Sequence, residues 1–133
     1  MVELRLHHVA VIVTDLDRSA AFYQQLFGLA PIERPPFSIP GIWLGVGQLQ
    51  VHLTVYSAGN FRTRGVDNDD IHFAFNTADF EGFVVEALAM GFHEDGAADD
   101  PMRMILKRQG MAGFPQLYLL DPDRNIIEVN GAP

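Results

Sequence analysis

Four residues of this 133-residue chain are of types that bind metals and occur at matched positions: His8, His52, His72 and Glu128. His8 and His72 lie in the first strand-like segment of each half of the chain, and His52 and Glu128 lie in the last. If the two halves are related by a pseudo-twofold axis, the four positions can converge on one point. Imidazoles and a carboxylate suit a divalent transition metal such as Fe²⁺, Mn²⁺, Ni²⁺, Co²⁺ or Zn²⁺.

Each of these residues taken alone is weak evidence for a metal site. A single histidine in a strand is more often hydrogen-bonded or exposed than a metal ligand, and Glu128 could be an exposed edge residue. The shared position in the two halves is what favours a common site. Two histidines and one carboxylate would leave coordination positions open for a substrate.

The spacing of landmark residues indicates that the two halves are repeats. His8 precedes the helix-cap candidate Asp15 by seven residues, and His72 precedes Asp79 by seven. A glycine that can end the following helix comes twenty residues after the first histidine and nineteen after the second. Each half reads as strand, helix and then about three strands. The sequence therefore predicts an α+β fold of two βαβββ modules, each an open, mostly antiparallel half-barrel cup.

Local patterns predict the element boundaries. Helices are expected to follow Asp15 and Asp79 and to end at Gly28 and Gly91. A hairpin is expected at Gly47, and a turn at residues 121–125. The predicted strands are residues 4–13, 42–46, 49–56, 71–76, 92–94, 102–108, 114–120 and 126–130, with a short edge strand near Pro31.

We expect a single domain over residues 1–133. Its first module is expected at residues 4–56 and its second at residues 71–130. The segment at residues 57–70 is polar and reads as the linker between them.

Composition excludes several classes of protein. The chain has no cysteine, which excludes disulfide frameworks, zinc ribbons, Fe–S clusters and cysteine nucleophiles. A net charge of −8, from 17 acidic and nine basic residues, argues against nucleic acid and anionic membrane as partners. No apolar run approaches the ~20 residues that a spanning helix needs. The N-terminus does not resemble a signal peptide, so a cytoplasmic location is expected.

Three motifs resemble the vicinal-oxygen-chelate superfamily, which includes glyoxalase I, bleomycin-resistance proteins and extradiol dioxygenases. They are HVAVIVTDLDRSAAFY at residues 8–23, IHFAF at residues 71–75 and YLLDPDRNIIE at residues 118–128. The resemblance covers most of the chain, residues 4–130. Arg124 departs from the glycine usual at its place, and it lies in a turn where no effect on a metal is expected.

The resemblance implies a divalent metal held by His8, His72 and Glu128. His52 occupies a fourth family position, where it is either another metal ligand or an acid–base group beside the metal. Tyr118 resembles the active-site tyrosine of extradiol dioxygenases, although a packed aromatic in a hairpin is an equal alternative. The family's short two-module members are commonly homodimers, so a homodimer is expected.

The resemblance also implies a metal-dependent enzyme whose small substrate chelates the metal through two adjacent oxygens. In the lyase and isomerase branch, Glu128 would abstract a proton while the metal stabilises an enediolate. In the dioxygenase branch, His52 and Tyr118 would handle protons during ring cleavage of a catechol. The alternative is a metal-free protein of the bleomycin-resistance type that binds an aromatic compound or antibiotic.

Overall fold

The computed structural model describes residues 1–132. The chain divides into two compact units, with the boundary between Phe61 and Arg62, inside the expected linker. Within the described residues, each unit consists of one four-stranded open sheet and one helix. The predicted α+β class and the two βαβββ modules are therefore confirmed.

The first unit runs as strand, helix and three strands. Its elements are β1 (His8–Val13), α1 (Leu16–Phe27), β2 (Ala30–Ile32), β3 (Gly41–Val46) and β4 (Leu49–Val55). The strand order in its sheet is β1-β4-β3-β2, in which β1 and β4 are parallel and the other neighbours are antiparallel. The last strand of the unit therefore lies inside the sheet, directly beside the first.

Helix α1 begins and ends where the sequence predicts. Asp15 is its N-cap, and the Asp15 carboxylate accepts a hydrogen bond from the Arg18 backbone N–H at 3.0 Å. Gly28 ends the helix with φ of 66°, a left-handed conformation that glycine adopts without steric cost. The Gly28 N–H donates to the Gln24 carbonyl at 3.1 Å and so satisfies one of the last helix carbonyls.

The second unit repeats the same order. Its elements are β5 (His72–Asn76), α2 (Phe80–Ala89), β6 (Ile105–Lys107), β7 (Gln116–Leu120) and β8 (Ile126–Asn130), and its strand order is β5-β8-β7-β6. Asp79 caps α2 by accepting from the Gly82 N–H at 2.9 Å. The C-cap is Met90 in right-handed conformation, one residue before the predicted Gly91, which follows with φ of 98°.

Strand β1 is shorter than the predicted strand at residues 4–13. It begins at His8, which lies opposite Gln50 in the parallel pair with β4. Strand β4 itself begins at Leu49, directly after the hairpin turn. Residues before His7 would extend beyond the end of β4 and have no strand to pair with, so β1 begins at His8.

The predicted strands at residues 92–94 and 102–108 are also reduced. The first is an isolated bridge between His93 and Arg103. The second survives as β6, at Ile105–Lys107, because the residues before it form turns.

The two faces of the first sheet differ in character because successive strand side chains point to opposite faces. One face packs against α1 and holds the core residues Val13, Leu44, Val51 and Leu53, each at most 1% exposed. The opposite face carries His8, Gln50, His52 and Trp43. Polar and aromatic side chains are therefore gathered on the face away from the helix.

The two units place their key residues in the same register. In the first unit, Ala10 lies opposite His52, and His52 lies opposite Trp43 on the next strand. In the second unit, Ala74 lies opposite Glu128, and Glu128 lies opposite Tyr118. The predicted equivalence of His52 with Glu128 is therefore exact in the strand pairing, and it extends to Trp43 and Tyr118.

The turn at residues 121–125 forms as predicted and leads into β8. The Asp121 carboxylate, 3% exposed, accepts from the backbone N–H groups of Asp123 and Asn125 and from the Asn125 amide, each at 2.9 Å. Arg124 has φ of 66°, a left-handed conformation, which explains why glycine suits this position. The Arg124 guanidinium donates to two backbone carbonyl oxygens, those of Arg64 at 3.1 Å and Asp99 at 3.0 Å.

We expect Asp121→Ala to lower the free energy of unfolding by about 2–4 kcal/mol, because it leaves two backbone N–H groups without their charged acceptor. Asp121→Asn keeps one acceptor oxygen and should lose less. Asp95→Ala, at an exposed loop position, is the matched control and should change stability by no more than about 0.5 kcal/mol. Urea denaturation measures all three. An Asp121→Ala loss no larger than that of the control would contradict the assigned role.

Candidate functional site

In the first unit, the His52 ring is sandwiched between two other rings. It stacks on His8 with centroids 4.0 Å apart and planes 15° apart. It also stacks on Trp43 with centroids 4.0 Å apart and planes 2° apart. This arrangement follows from the strand order, because β4 lies between β1 and β3.

His52 is held in a neutral form. Burial is the main cause that lowers its pKa, and the charges of His8, His7 and Arg34 lower the pKa further. Its Nε2 lies 2.7 Å from the Gln50 side-chain oxygen, Oε1. A carboxamide oxygen only accepts, so Nε2 of His52 carries the proton and Nδ1 is left with the lone pair.

The stack restricts how His8 and His52 can share a metal ion. A metal bound to an imidazole nitrogen lies close to the plane of that ring, at about 2.1 Å from the nitrogen. Two nearly parallel rings with centroids 4.0 Å apart do not direct their lone pairs at one such point. His8 and His52 are therefore not arranged to hold one metal ion together.

His8 is exposed and has a contact from its neighbour in sequence. The Nδ1 atoms of His7 and His8 lie 2.8 Å apart, so one ring donates to the other. Nε2 of His8 is therefore the nitrogen that remains available to a ligand.

In the second unit, Glu128 is a buried carboxylate held by two amides. It is 7% exposed. The Gln116 amide donates to Oε1 at 3.2 Å, and the Asn130 amide donates to Oε2 at 3.0 Å. These hydrogen bonds offset the cost of removing the carboxylate from water and fix its orientation.

His72 is oriented towards Glu128 by a backbone carbonyl. Its Nδ1 lies 2.8 Å from the carbonyl oxygen of Asp70, which only accepts, so Nδ1 carries the proton. In a neutral ring Nε2 then carries the lone pair, and it lies 3.8 Å from Glu128 Oε1. Asp70 is itself held by an ion pair with Arg62 at 2.8 Å. The end of the linker therefore sets the tautomer of the predicted metal ligand.

Tyr118 lies beside this pair with its hydroxyl among the same groups. Its ring meets His72 edge-on at 5.5 Å between centroids, and its hydroxyl accepts a hydrogen bond from the Gln116 amide at 3.0 Å. Burial, followed by a hydrogen bond to Glu128, raises the pKa of Tyr118 to about 12. The phenol is therefore protonated at neutral pH and can give a proton but not take one.

The structure brings the four predicted metal ligands together as two pairs. His8 and His52 are in contact in the first unit, and His72 and Glu128 face each other in the second. Across residues 1–132, no group of three or more His, Asp or Glu side chains is placed to hold a metal ion. The structure also places Tyr118, predicted as catalytic, against the His72–Glu128 pair.

Three amide side chains orient these groups and were not predicted as site residues. Gln50 binds His52, while Gln116 and Asn130 bind Glu128. Gln50 and Asn130 each lie two positions from a predicted site residue in the same strand, and therefore on the same face. Two-residue spacing could have identified both. Gln116 lies two positions from Tyr118 in the same way, but its contact with Glu128 depends on the pairing of β7 with β8, which local sequence does not contain.

Two units of identical strand order, each with a pair of ligand-type side chains on neighbouring strands, define a protein of two βαβββ modules. The sequence profile of the Glyoxalase/Bleomycin resistance protein/Dioxygenase superfamily matches residues 5–129, and the chain belongs to this superfamily. A curated relative, Glyoxylase I 4 of Arabidopsis thaliana, is 29% identical over 128 residues, which are 93% of this chain and 68% of the relative.

Solved structures share the same fold. A Bacillus anthracis protein assigned to the glyoxalase family is similar with a TM-score of 0.77 and 21% identity, covering 100% of this chain and 98% of that one. A bleomycin-binding protein complexed with bleomycin is similar with a TM-score of 0.68 and 18% identity, covering 98% of this chain and 100% of that one. At these identities the likeness is one of fold. Residues 1–132 include no helix long and apolar enough to cross a membrane.

We expect the ionisation of Tyr118 to appear near pH 12 in metal-free protein. Its folded pKa lies above its ordinary value of 10, so the neutral phenol stabilises the fold below pH 10 and this stabilisation is lost as the pH rises towards 12. Absorbance at 295 nm, as the difference between wild type and Tyr118→Phe, measures the ionisation. Tyr56→Phe is the control for stability, and it should lose stability between pH 10 and 12 as the wild type does. A Tyr118 difference signal centred near pH 10 would overturn the assignment.

Proposed function

We propose that this chain is a divalent-metal-dependent enzyme acting on a small substrate that chelates the metal through two adjacent oxygens. The observation that carries the proposal is the repeated register of the site residues. Each unit has a histidine on its first strand and a second ligand-type residue, His52 or Glu128, on the strand beside it. A packing role does not require ligand-type side chains at the same place in both units.

We assign the metal to His8, His72 and Glu128, with His52 beside it. The donors fit a divalent ion: Nε2 of His72 and Oε1 of Glu128 are 3.8 Å apart, less than two metal–ligand bonds of about 2.1 Å laid end to end. With Nδ1 directed at the Asp70 carbonyl, Nε2 is the nitrogen that a neutral His72 ring would offer to the metal. Nitrogen and oxygen donors without sulfur suit Fe²⁺, Mn²⁺, Ni²⁺, Co²⁺ or Zn²⁺.

The chain's own groups would hold and move protons around the bound substrate. A divalent ion, when bound, would polarise the substrate oxygens as a Lewis acid. Tyr118 is placed to donate its proton, because its phenol stays protonated at neutral pH. His52 is placed to accept one, because its imidazole is neutral and its Nδ1 lone pair is free. In the lyase and isomerase branch, Glu128 would take the proton from the substrate carbon.

We further propose that the chain is one domain, acts as a homodimer and is located in the cytoplasm. Small molecules, and neither nucleic acid nor membrane, are its proposed partners. The charge of −8 supports the exclusion of polyanions.

A second candidate is a metal-free protein that binds an aromatic compound or antibiotic. The observation that favours it is the flat surface of Trp43 stacked on His52, which offers a ring on which an aromatic ligand could pack. The likeness of fold to a bleomycin-binding protein is compatible with this alternative.

We expect purified protein to bind one of the five metals and to gain thermal stability from it. His8→Ala, His72→Ala and Glu128→Gln should each weaken metal affinity by about 10²-fold or more, because each removes a ligand. His93→Gln, at a half-buried histidine paired with Asp100, is the matched control and should bind as wild type. Calorimetric titration and melting curves measure both effects. If none of the five metals binds, the enzyme proposal is contradicted and the metal-free candidate remains.

Oxygen consumption distinguishes the two branches of the reaction. After anaerobic loading with Fe²⁺, oxygen uptake with a panel of catechols supports extradiol ring cleavage, and no uptake favours the lyase or isomerase branch. In either branch we expect Tyr118→Phe to lower kcat by about 10²-fold, because it removes a placed proton donor, with metal affinity unchanged. An unchanged kcat would remove Tyr118 from the chemistry.

A further inference from the structure

Arg34, in the segment between β2 and β3, is a partly buried cation that has no anionic partner among residues 1–132. Its Nη2 donates to the Ile39 carbonyl oxygen at 2.7 Å. Its Nε is enclosed by the protein and has no hydrogen-bond acceptor. An enclosed donor on an unpaired charge is costly, so some other group is expected to supply the missing acceptor.

Aromatic rings connect Arg34 with the candidate site. The guanidinium lies over the Phe37 ring, with Cζ 5.2 Å from its centroid, and Phe37 is 55% exposed. The Phe37 and Trp43 centroids are 6.0 Å apart, and Trp43 in turn stacks on His52. Burial is the main cause of the lowered pKa of His52, and Arg34 contributes to it, so the two groups are within electrostatic reach.

The backbone beneath Arg34 makes room for its guanidinium. A Cβ atom at Gly41 would lie 2.9 Å from Arg34 Nη2 and 2.7 Å from the Leu53 carbonyl oxygen. Only a residue without a side chain therefore lets Arg34 lie against β3 in this position. The other two basic residues before Arg62 are Arg5, paired with Glu3, and Arg18, exposed on α1. Of the three basic residues before Arg62, Arg34 is therefore the one that acts electrostatically on His52.

We propose that Arg34 binds the carboxylate of an aromatic carboxylic acid whose ring packs against Phe37 and Trp43. A guanidinium offers two parallel N–H donors that match a carboxylate, and Nε is one of the donors still without an acceptor. Because Nε is enclosed, binding of the carboxylate requires a small movement of the side chains around Arg34. The inference that this ligand is the substrate rests on the proposed function, whereas carboxylate binding at Arg34 needs no metal.

Trp43 is the single tryptophan of the chain, so in metal-free protein a change in fluorescence on adding a ligand reports on the surroundings of this one ring. Metal-free protein titrated with benzoate should show a saturable change, and Arg34→Met should weaken that binding by about tenfold or more. Benzamide, which has the same ring without the charge, should bind wild type and Arg34→Met equally. Arg18→Met is the matched control and should bind benzoate as wild type.

A second variant keeps the test independent of folding, because Arg34 also holds the Ile39 carbonyl. Phe37→Ala removes an exposed ring, leaves Arg34 in place and should weaken both benzoate and benzamide. Far-UV circular dichroism checks that each variant is folded. The subsite is overturned if benzoate gives no saturable change, or if folded Arg34→Met binds benzoate as wild type. Metal binding without benzoate binding refutes the subsite alone, and benzoate binding without metal binding refutes the metal-dependent reaction alone.

Discussion

The parallel pairing of the first and last strands of each unit is the constraint on which the site depends. It places β4 and β8 inside their sheets, with a neighbour on both sides. A residue in the middle of such a strand is flanked by side chains from two strands on the same face. His52 is therefore covered by His8 and Trp43, and Glu128 has His72 on one side and Tyr118 on the other. An edge strand would leave the same residues exposed.

Burial in the sheet interior gives the two equivalent residues different environments. His52 is buried by rings, which lower its pKa mainly by removing water. Glu128 is buried by hydrogen-bond donors, two amides and a phenol, which stabilise its charge. A carboxylate enclosed by rings alone would be neutralised, and an imidazole that stacks between rings needs only one polar partner. The side chains around each residue thus match the number of hydrogen bonds that it can make.

The sequence predicts local features well and long-range ones poorly. Asp15, Gly28 and Asp79 could be identified because caps depend on residues within one helical turn. The equivalence of His52 with Glu128 came from the repeat, and the strand register agrees with it. The early start predicted for β1 was wrong because a strand ends where its partner ends, and local pattern does not contain the partner. The contact of Gln116 with Glu128 was missed for the same reason.

The two units carry different kinds of side chains at their candidate sites. In the second unit hydrogen bonds orient both members of the pair, His72 through the Asp70 carbonyl and Glu128 through the Gln116 and Asn130 amides. The first unit offers an exposed His8, a ring stack and a segment with the unpaired Arg34. Fixed hydrogen bonds suit a group that must keep one orientation, whereas flat rings and a free guanidinium suit recognition of varied small molecules. On the proposed function, substrate preference should therefore vary most with the ring stack and Arg34 of the first unit, whereas the second unit would supply two of the three proposed metal ligands, His72 and Glu128.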